Sequence, residues 1–466
     1  MRVPPDPTAF GADGVTLVRR LRARGVETVI LAGSDTHGIV RGKRIPIADL
    51  DRALQRGIAL CEAIWALQVD EREPVGAPDG HIGYFPGDGY PDVVAQPDPD
   101  TARLVPWHRG TALLLCGFTH RGGTPLPLSP RDVLAAVVAE ARARGFEPVV
   151  GIELEFYVLR ETSASVAAKR PSQLASIEAN PSVYGVLVGS RQEAFGQRLR
   201  ESLEAFDLPV QACNPESGPG QLEHNLRHAP ALPAADEALL LKLAVKELAQ
   251  RDGLLATFMA KPRSDWPGSS CHLHVSLRRG GLDAFHAPEA HDGMSATMRR
   301  FAGGLLAAMP ELTAIMAPTP NSYRRLTGRS WAATTATWGV DNRSVGVRAV
   351  CDGPDGTRLE HRQGGGDVNP YLAVAATLAA GLAGVEDGRE PPELFRGDVY
   401  ALPDGAVEAL PGNLGEATDR LEQSALARAW LGRDFVEHYV AMRRAELAVQ
   451  ALAVTDWETS RYLEAL

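Results

Sequence analysis

Glu153 and Glu155 lie one residue apart inside Val149-Val150-Gly151-Ile152-Glu153-Leu154-Glu155-Phe156-Tyr157-Val158. Alternate residues of a β-strand point to opposite faces. Val150, Ile152, Leu154, Phe156 and Val158 therefore face a core, and both carboxylates share the other face. Like charges this close are unfavourable unless a cation compensates them. A solvated strand face is the plain alternative for one such pair, but three later segments repeat the pattern. In Cys271-His272-Leu273-His274-Val275-Ser276-Leu277 the side chains of His272, His274 and Ser276 share a face, as do Arg358, Glu360 and Arg362 in Arg358-Leu359-Glu360-His361-Arg362. Glu216 and Glu223 flank a Gly-Pro-Gly-Gln turn, too rich in glycine and proline for a helix. If these segments converge, they gather five carboxylates, two histidines and two arginines. Such an oxygen-rich set suits hard divalent ions such as Mg2+ or Mn2+, whereas zinc more often recruits cysteine or several histidines. The chemistry implied is metal-assisted handling of phosphate.

The elements that must position these residues follow from periodicity and punctuation. Val15 to Arg24 predicts a short helix ended by Gly25, and Glu27 to Ala32 a strand that delivers the turn Ser34-Asp35-Thr36-His37-Gly38. An aspartate in a turn ordinarily bonds its own backbone. Asp49 to Leu67 reads as a second helix. Between residues 70 and 106 the composition shifts to Gly, Pro and Asp, as in Gly87-Asp88-Gly89-Tyr90-Pro91-Asp92, and marks the expected junction between an N-terminal unit, 1–106, and a large unit, 107–466. Leu113 to Phe118 predicts a strand, and Ser129-Pro130-Arg131-Asp132 a capping-box start to a helix that stops at Gly145 and feeds the Glu153/Glu155 strand. Thr162 to Asn180 reads as a surface loop, Asp236 to Asp252 as an amphipathic helix stopped by Gly253, and His286 and His291 as exposed loop residues. Helices are expected to close the chain from Ala425 to Ala453, and no internal repeat is visible.

Composition excludes several classes. The chain has 466 residues, 44% of them hydrophobic, enough for a substantial core. Its 58 acidic against 48 basic residues give a net charge of -10 with no basic stripe, so nucleic-acid binding is not expected. Cys61, Cys116, Cys213, Cys271 and Cys351 form no CxxC pair and suit reduced thiols in a cytoplasmic protein. No membrane partner is expected, because no window reaches the roughly 20 apolar residues of a span and the N-terminus lacks a signal-like segment.

Taken in order, Glu153-Leu154-Glu155-Phe156, Asn214-Pro-Glu-Ser-Gly-Pro-Gly-Gln-Leu-Glu223, Gly268-Ser-Ser-Cys-His-Leu-His-Val-Ser276, Asn321-Ser-Tyr-Arg-Arg-Leu326, Asp341-Asn-Arg-Ser-Val-Gly-Val-Arg348, Arg358 to Arg362 and Asn369-Pro-Tyr371 resemble the glutamine synthetase superfamily from about Asp35 to Tyr462. The closing Val454-Thr-Asp-Trp-Glu458 and Arg461-Tyr462 resemble its γ-glutamyl amine and polyamine ligase branch. The resemblance implies an α+β fold: a small N-terminal β-grasp domain, then a catalytic domain whose antiparallel sheet lines a funnel. It also implies a homo-oligomeric ring, hexamer or dodecamer, with sites between subunits. It implies two or more divalent metals per site, one held by Glu155, Glu216 and Glu223 and another by Glu153, His272 and Glu360. His274, Ser276 and Arg358 would approach ATP, the co-substrate, while Arg343 and Arg348 would lie on ATP and the transferring phosphate. Gly268, Arg325 and Arg362 would hold glutamate, and Asp35, from across a subunit boundary, would join Tyr184 in the amine pocket. Opposite strand parity requires a loop or bulge between Arg343 and Arg348.

The reaction implied is a ligation in which ATP phosphorylates the γ-carboxylate of glutamate and an amine displaces the phosphate. Three departures from the family pattern matter. The flap Leu326-Thr-Gly-Arg-Ser-Trp331-Ala332 carries Trp331 where glutamine synthetases carry an ammonium-binding glutamate, which points to an organic amine as acceptor. Ser270 replaces a customary glycine. Tyr400 lies near the position of a nucleotidylated tyrosine in some bacterial synthetases, but its flanks match poorly and no modification is expected. An ordinary ammonia-using synthetase and a silent scaffold or amine sensor are the alternatives, the last opposed by a complete set of six metal ligands.

Overall fold

A computed structural model describes residues 14–72, 89–327, 330–403 and 405–466. Gly87 and Asp88 of the glycine-rich loop and Gly328 and Arg329 of the flap lie outside the described residues. The fold is α+β, built on two sheets.

The first sheet contains β1 (Thr28–Ser34), β2 (Val40–Pro46), β3 (Ile58–Cys61), β4 (Asp92–Pro97), β5 (Arg103–Leu104) and β6 (Thr111–His120). Their order is β2-β1-β6-β4-β3, with β5 on β6. β1 and β6 run parallel and the other pairs antiparallel, consistent with the small grasp unit expected. Leu17 and Leu21 of α1 (Gly14–Ala23) and Leu50 and Ala53 of α2 (Leu50–Arg56) pack with Val29, Leu31, Trp65 and Leu114 in its core. The sheet runs past residue 106, because β6 is paired on both sides within it. The glycine- and proline-rich stretch thus itself contains β4 and β5 and is followed by a further strand of this sheet, β6. Nor is Asp49 to Leu67 one helix. Gly57 takes φ 65 and ends α2, and Ile58 to Cys61 then pair with β4.

The second sheet contains β7 (Glu147–Leu159), β8 (Val210–Pro215), β9 (Gln221–Leu226), β10 (Ala229–Pro230), β11 (Leu255–Thr257), β12 (Cys271–Arg279), β13 (Leu282–Asp283), β14 (Trp338–Val340), β15 (Val347–Val350) and β16 (Arg358–His361). Its main path is β14-β15-β16-β12-β7-β9-β8, antiparallel except where β14 meets β15. β7 is its spine: Val150, Ile152, Leu154, Phe156 and Val158 are all buried on the predicted face.

That face rests on helices. α3 (Pro130–Ala143) starts on proline as predicted, but Ser129 supplies no side-chain cap; Asp132 accepts the Phe118 N–H at 2.9 Å instead. Thr162 to Asn180 is not simply loop, since a Thr162/Ser165 capping box starts α4 (Ser163–Ala167). α5 (Val186–Ala205) and α6 (Ala231–Arg251) follow, then α7 (Ala296–Met316) and α8 (Pro370–Glu386), the last apolar all round and almost wholly buried. α9 (Leu414–Gln423), α10 (Ala425–Leu431), α11 (Arg433–Leu452) and α12 (Asp456–Tyr462) complete the chain. No described helix is long and apolar enough to cross a membrane.

Polar bonds stitch the two sheets' surroundings together. Buried Arg131 donates to both oxygens of Asp236 at 2.9 Å and to Asp98 at 2.8 Å, and Tyr371 donates to Asp236 at 2.6 Å. Asn369 Nδ2 donates to the Asp35 carbonyl at 2.9 Å, and Arg443 meets His37 Nδ1 at 3.0 Å. His438 Nε2 lies 3.0 Å from the Trp65 carbonyl.

Candidate active site

Strand register brings the polar residues together. Glu153 lies opposite His272, Glu155 opposite Glu223, and Glu360 opposite both His274 and Arg348. Residues directly opposite on neighbouring strands have touching side chains. Each of these residues alternates with an apolar neighbour buried in the core, so the fold cannot bury one face without presenting the other.

The most compact group is Glu153, His272 and Glu360, whose ligand atoms lie within 4.8 Å of one another. His272 Nδ1 is 3.2 Å from Glu153 and 3.7 Å from Glu360. Burial alone would raise the Glu153 carboxyl, yet contact with His272 and His274 holds it below its ordinary range. Glu360 is almost fully buried; against that desolvation, Arg362 and the two histidines hold it down to about 2. Arg348 Nη1 donates to Glu360 at 2.9 Å, and Arg362 bonds its other oxygen. Two guanidiniums thus converge on one metal-ligand candidate.

Glu155, Glu216 and Glu223 form a looser group that makes no ion pair among the described residues. Burial and then Glu155 push Glu216 up to about 7. Burial and then Glu153, Glu155 and Glu216 push Glu223 up to about 8. Three carboxylates in mutual repulsion, beside an imidazole already facing two more, have the donor chemistry of a hard divalent cation site. The residues present therefore fit such an ion. Glu216 is held by Asn214 Nδ2 at 2.9 Å and Glu155 by the Ser270 N–H at 2.8 Å.

His274 has a defined tautomer. Arg358 Nε, a donor only, lies 3.1 Å from His274 Nδ1. The ring proton of the neutral imidazole is therefore on Nε2, which faces Glu153 at 2.8 Å. His274, Ser276 and Arg358 also line one cavity with Gly151, His228 and Arg278.

Arg325 is fully buried and donates to the Gln363 carbonyl at 3.0 Å. A Cβ on Gly268 would stand 2.6 Å from Arg325 Cγ, so the glycine is what lets this arginine pass. Arg362 Nε is buried and has no protein partner among the described residues. Arg343 sits exposed in the turn between β14 and β15, the loop its parity required. Tyr184 and Trp331 are 66% and 65% exposed and share left-handed backbone, φ 55 and 57. Asp35 lies with the first sheet. Its carboxylate accepts the N–H groups of His37 and Ile39 and the Arg41 Nε, each at 2.9 Å; among the described residues none of its bonds reaches the carboxylate cluster.

Two residues escaped the sequence reading. Gln221, buried, donates to Glu155 and to the Gly268 carbonyl, both at 3.0 Å; sharing strand parity with Glu223 was the available signal. Asp341, at φ 48, bonds Arg348 Nε at 3.0 Å, and nothing in the motif announced it.

Known proteins share this architecture. The glutamine synthetase catalytic-domain family matches residues 127–462. The chain is 38% identical over 442 residues to type-1 glutamine synthetase 2 of Dictyostelium discoideum, covering 94% of this chain and 83% of that one. It is 35% identical over 448 residues to a glutamate–isopropylamine ligase of a Pseudomonas species, covering 95% and 96%. It is 36% identical over 458 residues to a gamma-glutamylethanolamide synthetase of Streptomyces coelicolor, covering 97% and 96%. A solved GmaS–ADP complex aligns with a TM-score of 0.83 at 29% identity, covering 96% of this chain and 99% of that one. With the sheet, the carboxylate–histidine face and these relatives in agreement, the chain belongs to the glutamine synthetase family, has relatives in its γ-glutamyl amine branch, and is a carbon–nitrogen ligase.

Proposed function

We propose that the protein joins the γ-carboxyl of glutamate to an organic amine, a small monoamine or a polyamine, through a γ-glutamyl phosphate made from ATP. The observation that carries the choice of amine is Trp331, which presents an exposed indole where a flap carboxylate would otherwise meet ammonium. An indole packs against a carbon chain and attracts a cation through its face, worth about 0.5 to 2 kcal/mol; small, fully hydrated ammonium gains less. Relatives named as a glutamate–isopropylamine ligase and a gamma-glutamylethanolamide synthetase support the same direction.

In this reading Arg325 and Arg362 bind the glutamate carboxylate, and the unpartnered Arg362 Nε is one donor available to it. Arg343 and Arg348 face the transferring phosphate, where arginine's planar fork grips oxygens at two points and keeps its charge. Arg358 and Glu153 fix His274 with its Nε2 proton toward the carboxylates. Glu155, Glu216 and Glu223 would hold one Mg2+ or Mn2+ and Glu153, His272 and Glu360 another; such ions offset charge on phosphate oxygens. Asp35, satisfied within its own turn, would serve the amine pocket of a neighbouring subunit in a ring.

The test is ADP release by purified protein with glutamate and Mg2+, screened across ammonia, alkylamines, ethanolamine, aromatic amines and polyamines, with product mass confirmed. Highest kcat/KM with an organic amine is expected. Highest kcat/KM with ammonia would return the protein to glutamine synthetase and leave Trp331 as packing.

A further inference from the structure

Tyr400 has no part in the chemistry above, yet its phenol stands between two parts of the site. The O–H donates to the Ala332 carbonyl at 3.0 Å, one residue beyond Trp331. Toward the sheet, the phenol feels the charges of Arg362 and Arg325. It is well anchored: the Tyr400 N–H donates to Asp398 at 3.0 Å, and the Val399 N–H donates to Ser344 Oγ at 3.1 Å. Farther along, Leu410 N–H donates to the Thr334 carbonyl at 2.9 Å, and Thr335 bridges Ala409. Tyr400 and the residues Glu408 to Leu410 therefore brace the backbone from Ala332 to Ala336.

Trp331 needs such a brace. A left-handed φ of 57 is costly for a bulky side chain and persists only where the surroundings hold it. The indole itself is 65% exposed, whereas Ala332 and Ala333 behind it are 1% and 2% exposed. Among the described residues, the support seen for the ring is the buried backbone behind it. We propose that Tyr400 is a positioning residue for amine selection, its hydrogen bond to the Ala332 carbonyl holding the Trp331 indole at the amine pocket. The proposal rests on the reading of Trp331 given above.

The experiment is a double-mutant cycle on the full-length protein with Tyr400→Phe, Trp331→Ala and both together, using the best acceptor found, of whatever kind. Tyr400→Phe should raise KM for the amine about 3- to 10-fold, the worth of one neutral hydrogen bond, and move KM for glutamate and for ATP less than twofold. In the Trp331→Ala background the same change should have no further effect. Hydrogen–deuterium exchange supplies a readout independent of turnover: Tyr400→Phe should speed exchange in a peptide spanning 331–337 and leave 271–279 unchanged. Equal effects of Tyr400→Phe in both backgrounds would overturn the proposal, as would unaltered exchange at 331–337. A wild-type preference for ammonia would instead defeat the organic-amine reading, and the cycle measured with ammonia would still decide whether Tyr400 acts through Trp331.

Discussion

Replacing Glu223 with glutamine should stabilise the metal-free protein at about pH 8 and remove most of the stabilisation conferred by Mg2+. Glu223 is buried, and burial together with Glu153, Glu155 and Glu216 pushes its carboxyl up to about 8. In the unfolded chain a glutamate titrates at about 4.3. Between these two values the folded protein holds a proton that the unfolded chain has released. Stability contributed by this group is therefore complete below about pH 4 and is lost as pH rises toward 8. A displacement of roughly 3.7 pH units corresponds to at most about 5 kcal/mol. Protons shared among four neighbouring carboxylates lower the part assignable to one of them, so about 2 to 3 kcal/mol is expected from the single replacement. In a chain of this length that is roughly 2 to 3 °C in Tm. Thermal unfolding with and without saturating Mg2+, at about pH 6 and about pH 8, measures it. The wild type should gain more from Mg2+ at the higher pH, where its carboxylates repel. A Glu223→Gln protein that melts lower without metal at pH 8, or that keeps the full Mg2+ gain, would refute the reasoning.

Glu360→Gln keeps the shape but removes the charge on which Arg348, Arg362 and His272 converge. Turnover should fall about 10²- to 10³-fold, with the elution volume on size exclusion unchanged; activity within tenfold of wild type would defeat its assignment as a metal ligand. Gly268→Ala places a methyl 2.6 Å from Arg325 Cγ and 3.0 Å from the Ala260 carbonyl, so Arg325 must move. KM for glutamate should rise about tenfold with KM for the amine little changed, and an unaltered glutamate KM would place Arg325 outside the substrate site.

The site was legible where strand parity and burial act together. Glu153 and Glu155 alternate with Ile152, Leu154 and Phe156, all buried, and a one-residue slip would have exposed every one of them. The same reasoning correctly sided His272 and His274 against Cys271, Leu273 and Val275. It failed where one residue overrules a pattern. Gly57 cut the helix predicted over Asp49 to Leu67 and freed Ile58 to Cys61 for strand pairing. Composition between 70 and 106 did not mark the edge of a sheet, since β4 and β5 lie within it and β6 follows; turn residues look alike inside a unit and between units. Side-chain bonds were the least visible layer. Asp341 reaches Arg348 from a left-handed turn, and Tyr400 reaches a carbonyl 68 residues away; neither has a local signature.

The bonds around the Asp35 turn bear on how the protein is made. Asn369 grips the Asp35 carbonyl across 334 residues, His438 meets the Trp65 carbonyl across 373, and Arg443 meets His37 across 406. At about 5 to 20 residues per second of synthesis, a ribosome needs roughly 20 to 80 s after His37 before Arg443 exists. For that interval the nascent N-terminal sheet carries the Trp65 carbonyl and His37 Nδ1 without their C-terminal partners. Ribosome pausing or premature release before α11 would leave a chain that retains every predicted metal ligand and still lacks the C-terminal partners of His37 and Trp65, so the surroundings of this turn are completed only by the last helices to emerge.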